Sequence, residues 1–525
     1  MRFRSGIGSA EGQGRVRCCG EIQYIKDKSS GSSKPKPESS FIKEARAISE
    51  GKGKEEEDGR EEASDAIRQV AEAICDYANP SKGARAELRS LEFQAGRIST
   101  AESLPATFLE KAKQHLAQNY PKFRLPSYGT EALQKRILHV LERGGINLDG
   151  SPGIPLSNFC NNNEEVLTGE FCNLLASTAL YRLQRMLHED LTHLTPQELI
   201  SEGLMDAIKL FIKGEPHNSQ KVRQGRLRLI SSSSLIFQVV ERVVFTDITK
   251  ECVANWESCF SKPGIGFNEE KNKVMYDELV LMFDRFQRIF SNDVSGWDWS
   301  VFFQLVQESC NFIIDKALED VSDTSFKVVW RQFMNNYVHF ITTALFCTSD
   351  GQVYQIFGGD GEAIRGIMKS GLFVTGFLNS IMRALLEVTL AFEAGASDVA
   401  CATMGDDCLR YCSVDIPVER YLDFGIRIKP GAQDVRNFPE EPVDFCSHLY
   451  LGGKHVELSS WAKCIYKTIS SPYDRDLWHQ IAYEIRYNRN FREIEDFLLY
   501  IGWLPSRTET LLTAGEPSGP PAPLH

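Results

Sequence analysis

The chain has 525 residues, of which 42% are apolar and 25% charged, and these proportions are typical of folded globular proteins. They exclude a wholly disordered or fibrous chain, and the sequence contains no run of about 18 uncharged apolar residues that would predict a transmembrane helix. Lysine and arginine together number 59 against 71 aspartates and glutamates, so the net charge of −12 argues against a protein that binds nucleic acid over its whole surface.

The first part of the chain is compositionally unlike the rest. Residues 1–62 are rich in glycine, serine, lysine and glutamate, and they offer too little apolar surface to offset the entropy lost on ordering. Apolar residues then recur at helical spacing between Ser64 and Pro80, which predicts one short helix. We therefore expect residues 1–84 to form a flexible, low-complexity extension whose single helix packs on the folded body.

The next section, residues 85–285, is expected to be mainly helical. Clear helical periodicity over residues 166–191 predicts helical structure there. Thr195 and Glu198 flank Pro196 in the pattern of a capping box with proline at the first helical position, which predicts the start of another helix.

Between residues 286 and 450, short β-rich runs alternate with amphipathic helices, so the fold class predicted for this region is α+β. The predicted elements are strands at 288–292, 399–403 and 409–413 and helices at 299–314 and 373–392. After residue 455 helices return at 473–487 and 491–501, and residues 514–525 are expected to be a disordered tail.

An acidic motif lies within the α+β region. Gly405, Asp406 and Asp407 separate two β-rich runs, which predicts a two-residue hairpin turn with both carboxylates at its tip. An isolated motif of this kind is more often a solvated turn, but Asp293 follows another predicted strand and Asp298 stands at the start of a helix. Asp293, Asp406 and Asp407 could together hold two Mg²⁺ ions. The structural alternative for Asp293 is a helix N-cap.

A second motif precedes the helix predicted at 373–392. Ser370 and Gly371 form a loop in which the missing side chain of glycine lets backbone approach a ligand, and Thr375 and Asn379 share one helix face. A hydroxyl and a carboxamide are suited to recognising sugar hydroxyls. The alternative is that Ser370 and Thr375 cap the helix and that Asn379 faces solvent.

A third motif is basic. Within residues 213–228 five basic side chains accompany a single acidic one, Glu215; the basic residues are Lys213, Lys221, Arg223, Arg226 and Arg228. Arg226 and Arg228 alternate with leucines, which predicts a strand with both guanidinium groups on one side, an arrangement suited to a triphosphate. A solvated charged strand is the alternative. If the chain handles nucleic acid, we expect such stretches to line a positive interior channel beneath a negative exterior.

The fourteen cysteines show no regular spacing, which predicts reduced, mostly buried thiols of an intracellular protein. Cys408, Cys412, Cys446 and His448 could form a zinc site if neighbouring strands aligned them, but their spacings differ from those of standard zinc modules. Buried thiols are the favoured interpretation.

In their order along the chain these motifs resemble those of viral RNA-dependent RNA polymerases, most of all the sobemovirus, polerovirus and barnavirus group. The resemblance covers residues 205–455 and rests on the segments FIKGEPH, GRLRLISSSSL, DVSGWDWSV, MKSG, MGDD and DFCSHLY. It implies a right hand with fingers, palm and thumb. On this basis we expect fingers at 85–285, palm at 286–304 and 366–454 joined by a connection at 305–365, and a helical thumb at 455–513.

The resemblance also implies roles for individual residues. Motif F, which escorts the incoming nucleotide, matches Lys213, Glu215, Lys221, Arg226 and Arg228. Motif A matches Asp293 as a metal ligand and Asp298 as a sensor of the ribose hydroxyls. Motif B, which helps to distinguish ribose from deoxyribose, matches Ser370, Gly371, Thr375 and Asn379. Motif C matches the metal ligands Asp406 and Asp407, motif D matches Lys429 as general acid to the pyrophosphate, and motif E matches residues 445–447.

The function implied by the resemblance is RNA-directed RNA synthesis from NTPs, with Mg²⁺ as cofactor and Mn²⁺ as its substitute. The expected partners are the RNA template, the nascent RNA, a genome-linked protein primer and other viral replication proteins. The expected location is the host cell cytoplasm, in a replication complex that reaches a membrane through partners. Residues 1–84 are left as a separate module, a processing remnant or a precursor of a genome-linked protein.

Two alternatives remain at this point. A reverse transcriptase shares the palm carboxylates, but it would tend to carry a bulky aromatic residue where this chain has Asp298, and Met404 and Gly405 differ from its usual Tyr-x-Asp-Asp motif. A relative that binds RNA without catalysis is the other alternative, and the presence of every catalytic carboxylate disfavours it.

Overall fold

The structure is a computed structural model that describes residues 14–22, 35–51, 63–99, 101–343, 345–452 and 455–506. The predicted tail at 514–525 lies outside the described residues, as does much of the predicted extension.

The described residues form helices and short strands in alternation. The α-helices are α1 (Ser40–Ser49), α2 (Asp65–Cys75), α3 (Ala84–Ala95), α4 (Ala106–Ala117), α5 (Thr130–Arg143), α6 (Asn163–Thr168), α7 (Phe171–His188), α8 (Pro196–Ser201), α9 (Ser219–Gln224), α10 (Leu235–Ala254), α11 (Glu269–Phe286), α12 (Trp297–Ser300), α13 (Phe303–Leu318), α14 (Thr324–Thr342), α15 (Thr375–Glu393), α16 (Val418–Leu422), α17 (Trp461–Ile469), α18 (Arg475–Ile485) and α19 (Phe491–Tyr500). The strands are β1 (Arg15–Glu21), β2 (Tyr77–Ala78), β3 (Ile208–Ile212), β4 (His217–Asn218), β5 (Leu229–Ser232), β6 (Ile289–Asn292), β7 (Phe346–Cys347), β8 (Gln352–Phe357), β9 (Ala400–Met404), β10 (Asp407–Tyr411), β11 (Gln433–Val435), β12 (Val443–Phe445), β13 (His448–Gly452) and β14 (His455–Leu458).

The chain divides into two compact units, each built from three separate segments. The first unit comprises residues 1–32, 83–212 and 229–438, and the second comprises 33–82, 213–228 and 439–525. The mixture of helices and small sheets agrees with the α+β class predicted from the sequence. No helix in the described part of the chain is both long and apolar enough to cross a membrane.

The first unit contains a four-stranded sheet in the order β11-β6-β10-β9. All of its neighbouring strands are antiparallel, and β10 pairs with β9 on one side and with β6 on the other. The predicted strands at 288–292 and 399–403 are confirmed within one residue, whereas the strand predicted at 409–413 starts two residues earlier, directly after its turn. Helix α15 packs against β9 and α4, so its apolar surface is buried on several sides.

The first unit also contains a five-stranded sheet in the order β1-β8-β7-β3-β5. Its edge strand β1 pairs antiparallel with β8 and lies within the region where the sequence predicts a flexible extension. The partner strand lies more than 300 residues away in the chain. A composition argument that treats residues 1–62 by themselves therefore gives no sign of this pairing.

The second unit has its own apolar core, formed by the N-terminal helices α1 and α2 with the C-terminal helices α17, α18 and α19. Helix α1 is a departure from the predicted extension, which contains only one helix. Its sequence explains the helix: Ile42, Ala45 and Ile48 recur at helical spacing and are buried, and the Ser39 side chain caps the first turn. The polar residues around this short stripe dominate the average composition and hide it.

Two further helix predictions have different outcomes. The capping box at Thr195 and Glu198 is present at the start of α8, with Pro196 in the first turn. The helix predicted at 299–314 is instead two helices, α12 and α13, because Val301 and Phe302 adopt extended backbone conformations.

Candidate active site

The acidic motif forms the tip of a hairpin in the first unit. Met404 pairs with Asp407, which leaves Gly405 and Asp406 as a two-residue turn between β9 and β10. Gly405 has a φ of +64°, as a hairpin turn with glycine in its first central position requires. The hairpin predicted from the sequence is therefore confirmed, with Asp406 in the turn and Asp407 as the first residue of β10.

Asp293 is brought beside Asp406 by the pairing of β6 with β10. Asn292, the last residue of β6, pairs with Cys408, so the chain leaves β6 next to the turn. Burial raises the pKa of the Asp406 carboxyl, and the negative charge of Asp293, whose side chain is within hydrogen-bonding reach, raises it further. Asp293 is not a helix N-cap, since Gly296 occupies that position before α12.

Lys429, from a separate segment of the chain, contacts this acidic pair. Residues 427–429 run antiparallel to residues 293–295, with 2.8 Å hydrogen bonds from Lys429 N to Asp293 O and from Ser295 N to Arg427 O. The Lys429 ammonium forms an ion pair with Asp293 Oδ2. The other carboxylate oxygen, Asp293 Oδ1, is buried and accepts no hydrogen bond from any described residue.

This donor set suits a hard divalent cation. Of the two adjacent carboxyl groups, Asp406 has a raised pKa and Asp293 has a buried oxygen that accepts no hydrogen bond from the described residues. A bound metal ion would stabilise the charged form of both. The described residues contain no group of three His, Cys, Asp or Glu side chains arranged to hold a metal, so the structure does not gather Asp407 with Asp293 and Asp406. Cys408 and Cys412, considered for zinc, are buried free thiols, in line with the favoured interpretation.

Asp298 lies on α12 and is held by the side chain of Asn379 on α15. Asn379 Nδ2 donates to Asp298 Oδ1 at 3.1 Å, and the Trp297 indole Nε1 donates to Asn379 Oδ1 at 2.9 Å. The carboxamide is therefore fixed in one orientation by a donor on one side and an acceptor on the other. Asn379 is only 5% exposed, so the alternative of a solvent-facing asparagine is wrong.

The loop before α15 is packed against β5 and the residues that follow it. Ser370 Oγ accepts a hydrogen bond from Ser231 N at 3.1 Å, and Ser233 Oγ donates to Gly371 O at 2.7 Å. A Cβ atom at Gly371 would lie 2.3 Å from Ser231 O, so the close approach requires glycine. The Thr375 hydroxyl donates to the Leu372 carbonyl at 2.7 Å, but the N-cap of α15 is Val374 and no side chain caps the helix, so the alternative of a capping role is wrong.

The basic segment lies in the second unit and is organised around Glu215. Its carboxylate is paired with Arg228 at 2.8 Å, with Lys213 at 3.2 Å and with Lys463 at 3.2 Å. Lys463 belongs to α17, and sequence reasoning does not find it because nothing near it in the chain indicates a partner 248 residues upstream. His217 is close by, and burial lowers its pKa to about 4, so it is neutral at pH 7.

The remaining basic residues differ from the predicted strand. Lys221 lies in the short helix α9, and β5 begins only at Leu229, after Arg226 and Arg228. The predicted alternation nevertheless holds, because Leu227 and Leu229 are buried while Arg228 is exposed and Arg226 partly so.

The segment matched to motif E is also a hairpin of the second unit. Phe445 pairs with His448, and Cys446 and Ser447 form a two-residue turn with φ values of +54° and +62°. Neither residue is a glycine, asparagine or aspartate, the types preferred where both turn residues have positive φ, which is why the sequence gives no hairpin signal here.

A buried polar network behind the sheet is absent from the sequence predictions. It consists of Asn292, Arg383, Glu387, Arg410 and Tyr421, each at most 4% exposed. Arg383 and Glu387 stand four residues apart in the otherwise apolar helix α15, which is the one local signal that could have indicated a buried pair.

Comparison with known proteins agrees with the resemblance inferred from the motifs. A family model described as "Viral RNA-directed RNA-polymerase" matches residues 68–283 and 307–453. The chain is 30% identical over 436 residues to the replicase polyprotein P2AB of Cocksfoot mottle virus, covering 81% of this chain and 43% of the relative. It is 32% identical over 409 residues to the corresponding polyprotein of Southern bean mosaic virus, covering 76% and 40%.

A shorter relative is matched over most of its length. The chain is 29% identical over 332 residues to the RNA-directed RNA polymerase of Mushroom bacilliform virus, which covers 61% of this chain and 74% of that protein. By contrast, the chain spans less than half the length of the two polyprotein relatives. The match to the family model extends over more than half of the chain, and the chain therefore belongs to the viral RNA-directed RNA polymerase family.

Proposed function

We propose that this protein is an RNA-directed RNA polymerase that replicates and transcribes a positive-strand viral genome from NTPs. The observation that carries the proposal is the juxtaposition of Asp293 with Asp406, together with the hydrogen bond from Asn379 to Asp298, a pair to which we assign the recognition of ribose. Family membership and the names of the relatives support the same activity.

Asp293 and Asp406 would hold Mg²⁺, for which Mn²⁺ would substitute. Asp407 is a proposed ligand on the family resemblance alone, since the described residues include no group of three such side chains arranged to hold a metal. The bound metal supplies activation of the attacking 3′-hydroxyl and charge stabilisation at the phosphate. The raised pKa of Asp406 and the donor-free oxygen of Asp293 support the assignment of Asp293 and Asp406, because the Lys429 ammonium binds only the other oxygen of Asp293 and does not offset the effect of burial on Asp406.

The protein's own residues would position the nucleotide. Asp298 accepts a hydrogen bond from the ribose hydroxyls, and Asn379 holds its carboxylate in place. Lys213 and Arg228 would contact the triphosphate as members of motif F. Lys429 Nζ, paired with Asp293, would donate a proton to the pyrophosphate leaving group.

Architecture and partners follow from the same proposal. The sheet that carries Asp293 and Asp406 would be the palm of a right-hand polymerase that also has fingers and a thumb. The partners would be template and nascent RNA, a genome-linked protein primer and other replication proteins. We place the enzyme in the host cell cytoplasm, at a membrane-associated replication complex reached through those partners.

The alternatives are less well supported. A reverse transcriptase excludes the ribose 2′-hydroxyl, whereas Asp298 presents a hydrogen-bond acceptor fixed by Asn379. A non-catalytic RNA-binding relative would have no need for the close Asp293 and Asp406 pair, in which the negative charge of Asp293 adds to burial in raising the pKa of Asp406.

The test is primer extension on an RNA template with either NTPs or dNTPs. We expect the wild-type protein to incorporate NTPs in preference to dNTPs and the D406A variant to lose incorporation. The control is D149A, which removes an exposed carboxylate outside the site and should retain activity. Incorporation that survives D406A, or that prefers dNTPs, would contradict the proposal.

A further inference from the structure

The buried network behind the sheet connects the two halves of the candidate site through one side chain, Arg383. Arg383 lies on α15, one helical turn after Asn379. It is fully buried, with an exposed fraction of 0%. Its guanidinium makes contacts in three directions, and two of them lead to residues next to the reacting groups.

The first contact leads to the metal ligand. Arg383 Nη2 donates to the side-chain oxygen of Asn292. Asn292 ends β6 and directly precedes Asp293, so the hydrogen bond fixes the strand end from which the Asp293 carboxylate projects.

The second contact leads to the ribose-reading pair. The Arg383 guanidinium lies 5.5 Å from the centre of the Trp297 ring. Trp297 donates to Asn379, and Asn379 in turn donates to Asp298. The orientation of the Asp298 carboxylate therefore depends, through two hydrogen bonds, on a ring that stacks on Arg383.

The third contact is an ion pair that holds the guanidinium in place. Arg383 forms a 2.8 Å ion pair with Glu387, which is paired at 2.8 Å with Arg410 and accepts a 2.7 Å hydrogen bond from Tyr421. Burial acts to raise the pKa of Glu387, but the guanidinium groups of Arg383 and Arg410 outweigh burial and hold it below its ordinary value. Glu387 is thus a buried anion shared by two cations.

The network is poorly suited to a purely structural role. It buries two guanidinium groups against a single carboxylate, and Arg383 Nε and Nη1 have no acceptor among the described residues. Unpaired buried donors destabilise a fold, and an apolar side chain of similar length would avoid that cost. What an apolar residue could not supply is a simultaneous hold on Asn292 and Trp297.

We propose that Arg383 is a positioning residue that couples ribose recognition by Asp298 and Asn379 to the placement of Asp293. This inference rests on the proposed function. With Arg383 in place, the acceptor for the ribose hydroxyl and the carboxylate that serves the reaction are held at a fixed spacing. Without it, each relaxes separately, and the enzyme loses discrimination between ribonucleotides and deoxyribonucleotides as well as speed.

The experiment measures kcat/KM for one NTP and its 2′-deoxy counterpart at a single template position. R383M should lower the discrimination ratio, defined as kcat/KM for the NTP divided by kcat/KM for the dNTP, about tenfold, which is the effect of one lost positioning hydrogen bond. The matched control is R410M, which removes the other arginine from the same carboxylate at a site only 1% exposed. R410M should lower thermal stability to a similar extent and leave the ratio within about twofold, because Arg410 touches neither Asn292 nor Trp297.

Two further variants test the same inference if R383M does not fold. R383K keeps the charge beside Glu387 but lacks the planar fork that serves two partners, so it should lower the ratio by a smaller factor. W297F keeps the ring and removes the indole donor to Asn379, and it should lower the ratio as R383M does. Because both changes interrupt one chain of contacts, R383K combined with W297F should lower the ratio no further than W297F alone.

The results separate this inference from the function on which it rests. A wild-type enzyme that fails to extend RNA primers with NTPs overturns the proposed function. A wild-type enzyme that prefers NTPs, together with an unchanged ratio in R383K and W297F, overturns only the role of Arg383. An equal loss of discrimination in R410M would likewise show that Arg383 acts through general stability of the network.

Discussion

Two glycines in the motif B segment offer a paired test of how the loop before α15 is held. At Gly371 an added Cβ would lie 2.3 Å from Ser231 O and 3.0 Å from Ser232 Cα, both of them backbone atoms. At Gly376, in the first turn of α15, an added Cβ would meet no atom within 4 Å. The substitutions G371A and G376A add the same methyl group five residues apart, in opposite steric surroundings.

The expected magnitudes follow from these distances. Relieving the clash in G371A requires the loop and β5 to separate by about 1 Å, since a carbon needs about 3.5 Å from its neighbours. Such overpacking destabilises a fold by about 1–3 kcal/mol. The same movement would displace Ser370 and Gly371 from their partners, and a misplacement of about 1 Å near a reaction costs up to about a hundredfold in rate. G376A should instead stabilise the protein by about 0.5–1 kcal/mol, because alanine favours the helix.

The assay combines urea denaturation with single-nucleotide primer extension for both variants. We expect G371A to unfold at lower urea concentration and to extend primers tens to about a hundredfold more slowly, with G376A at least as stable as wild type and comparably active. If G371A matched G376A in stability and rate, the close packing of this loop on β5 would be refuted.

Two other predictions concern buried and paired charges. Burial raises the pKa of Glu241 to about 7, although its carboxylate accepts a 2.8 Å hydrogen bond from Phe373 N. A carboxyl with a raised pKa destabilises the folded state as pH rises from about 4.3 to 7, because the folded protein then loses its proton less readily than the unfolded chain. The free energy of unfolding of E241Q should therefore increase relative to that of wild type by up to about 3 kcal/mol between pH 5 and pH 8. A difference in thermal or urea unfolding that does not change with pH would contradict this. K463Q removes one of the three cations on Glu215 and should raise KM for NTPs about threefold to tenfold with kcat unchanged. The control K467Q, an exposed change on the same helix, should leave both constants unaltered. Equal effects of the two variants in steady-state kinetics would count against the role of the Glu215 cluster.

The parts of the site that the sequence predicts are those with local signals. Gly405 and Asp406 between two β-rich runs give the hairpin, and the spacing of Thr375 and Asn379 gives their helix. Asp293 is predicted at a strand end for the same reason. Each of these inferences needs only residues that are close together in the sequence.

The parts that the sequence does not predict depend on pairing between distant segments. Lys429 reaches Asp293 because residues 427–429 lie antiparallel to residues 293–295, and only the family resemblance suggests this residue. Arg383 and Glu387 interrupt an apolar run, but their partner Arg410 lies on another element. Periodicity reports which face of an element is buried and carries no information about which element covers it.

The N-terminal region illustrates the limit of composition. Averaged over residues 1–62, the chain is too polar to predict a fold, yet α1 needs only three buried apolar residues when α2 and the C-terminal helices supply the rest of the core. Helix α2 supplies much of the packing that orders α1, and a further part comes from residues more than 400 positions away, such as Ile469, whose carbonyl accepts a 2.6 Å hydrogen bond from Ser39.

The most direct test of RNA-directed synthesis uses four RNA templates that differ only in the base to be copied. The wild-type protein, supplied with Mg²⁺ or Mn²⁺ and each NTP in turn, should extend the primer with the complementary nucleotide on every template and should be inactive after chelation of the metal. Extension that ignores the template base, or that proceeds equally well on each template with dNTPs, would contradict the assignment of Asp293, Asp406 and Asp298 to templated RNA synthesis.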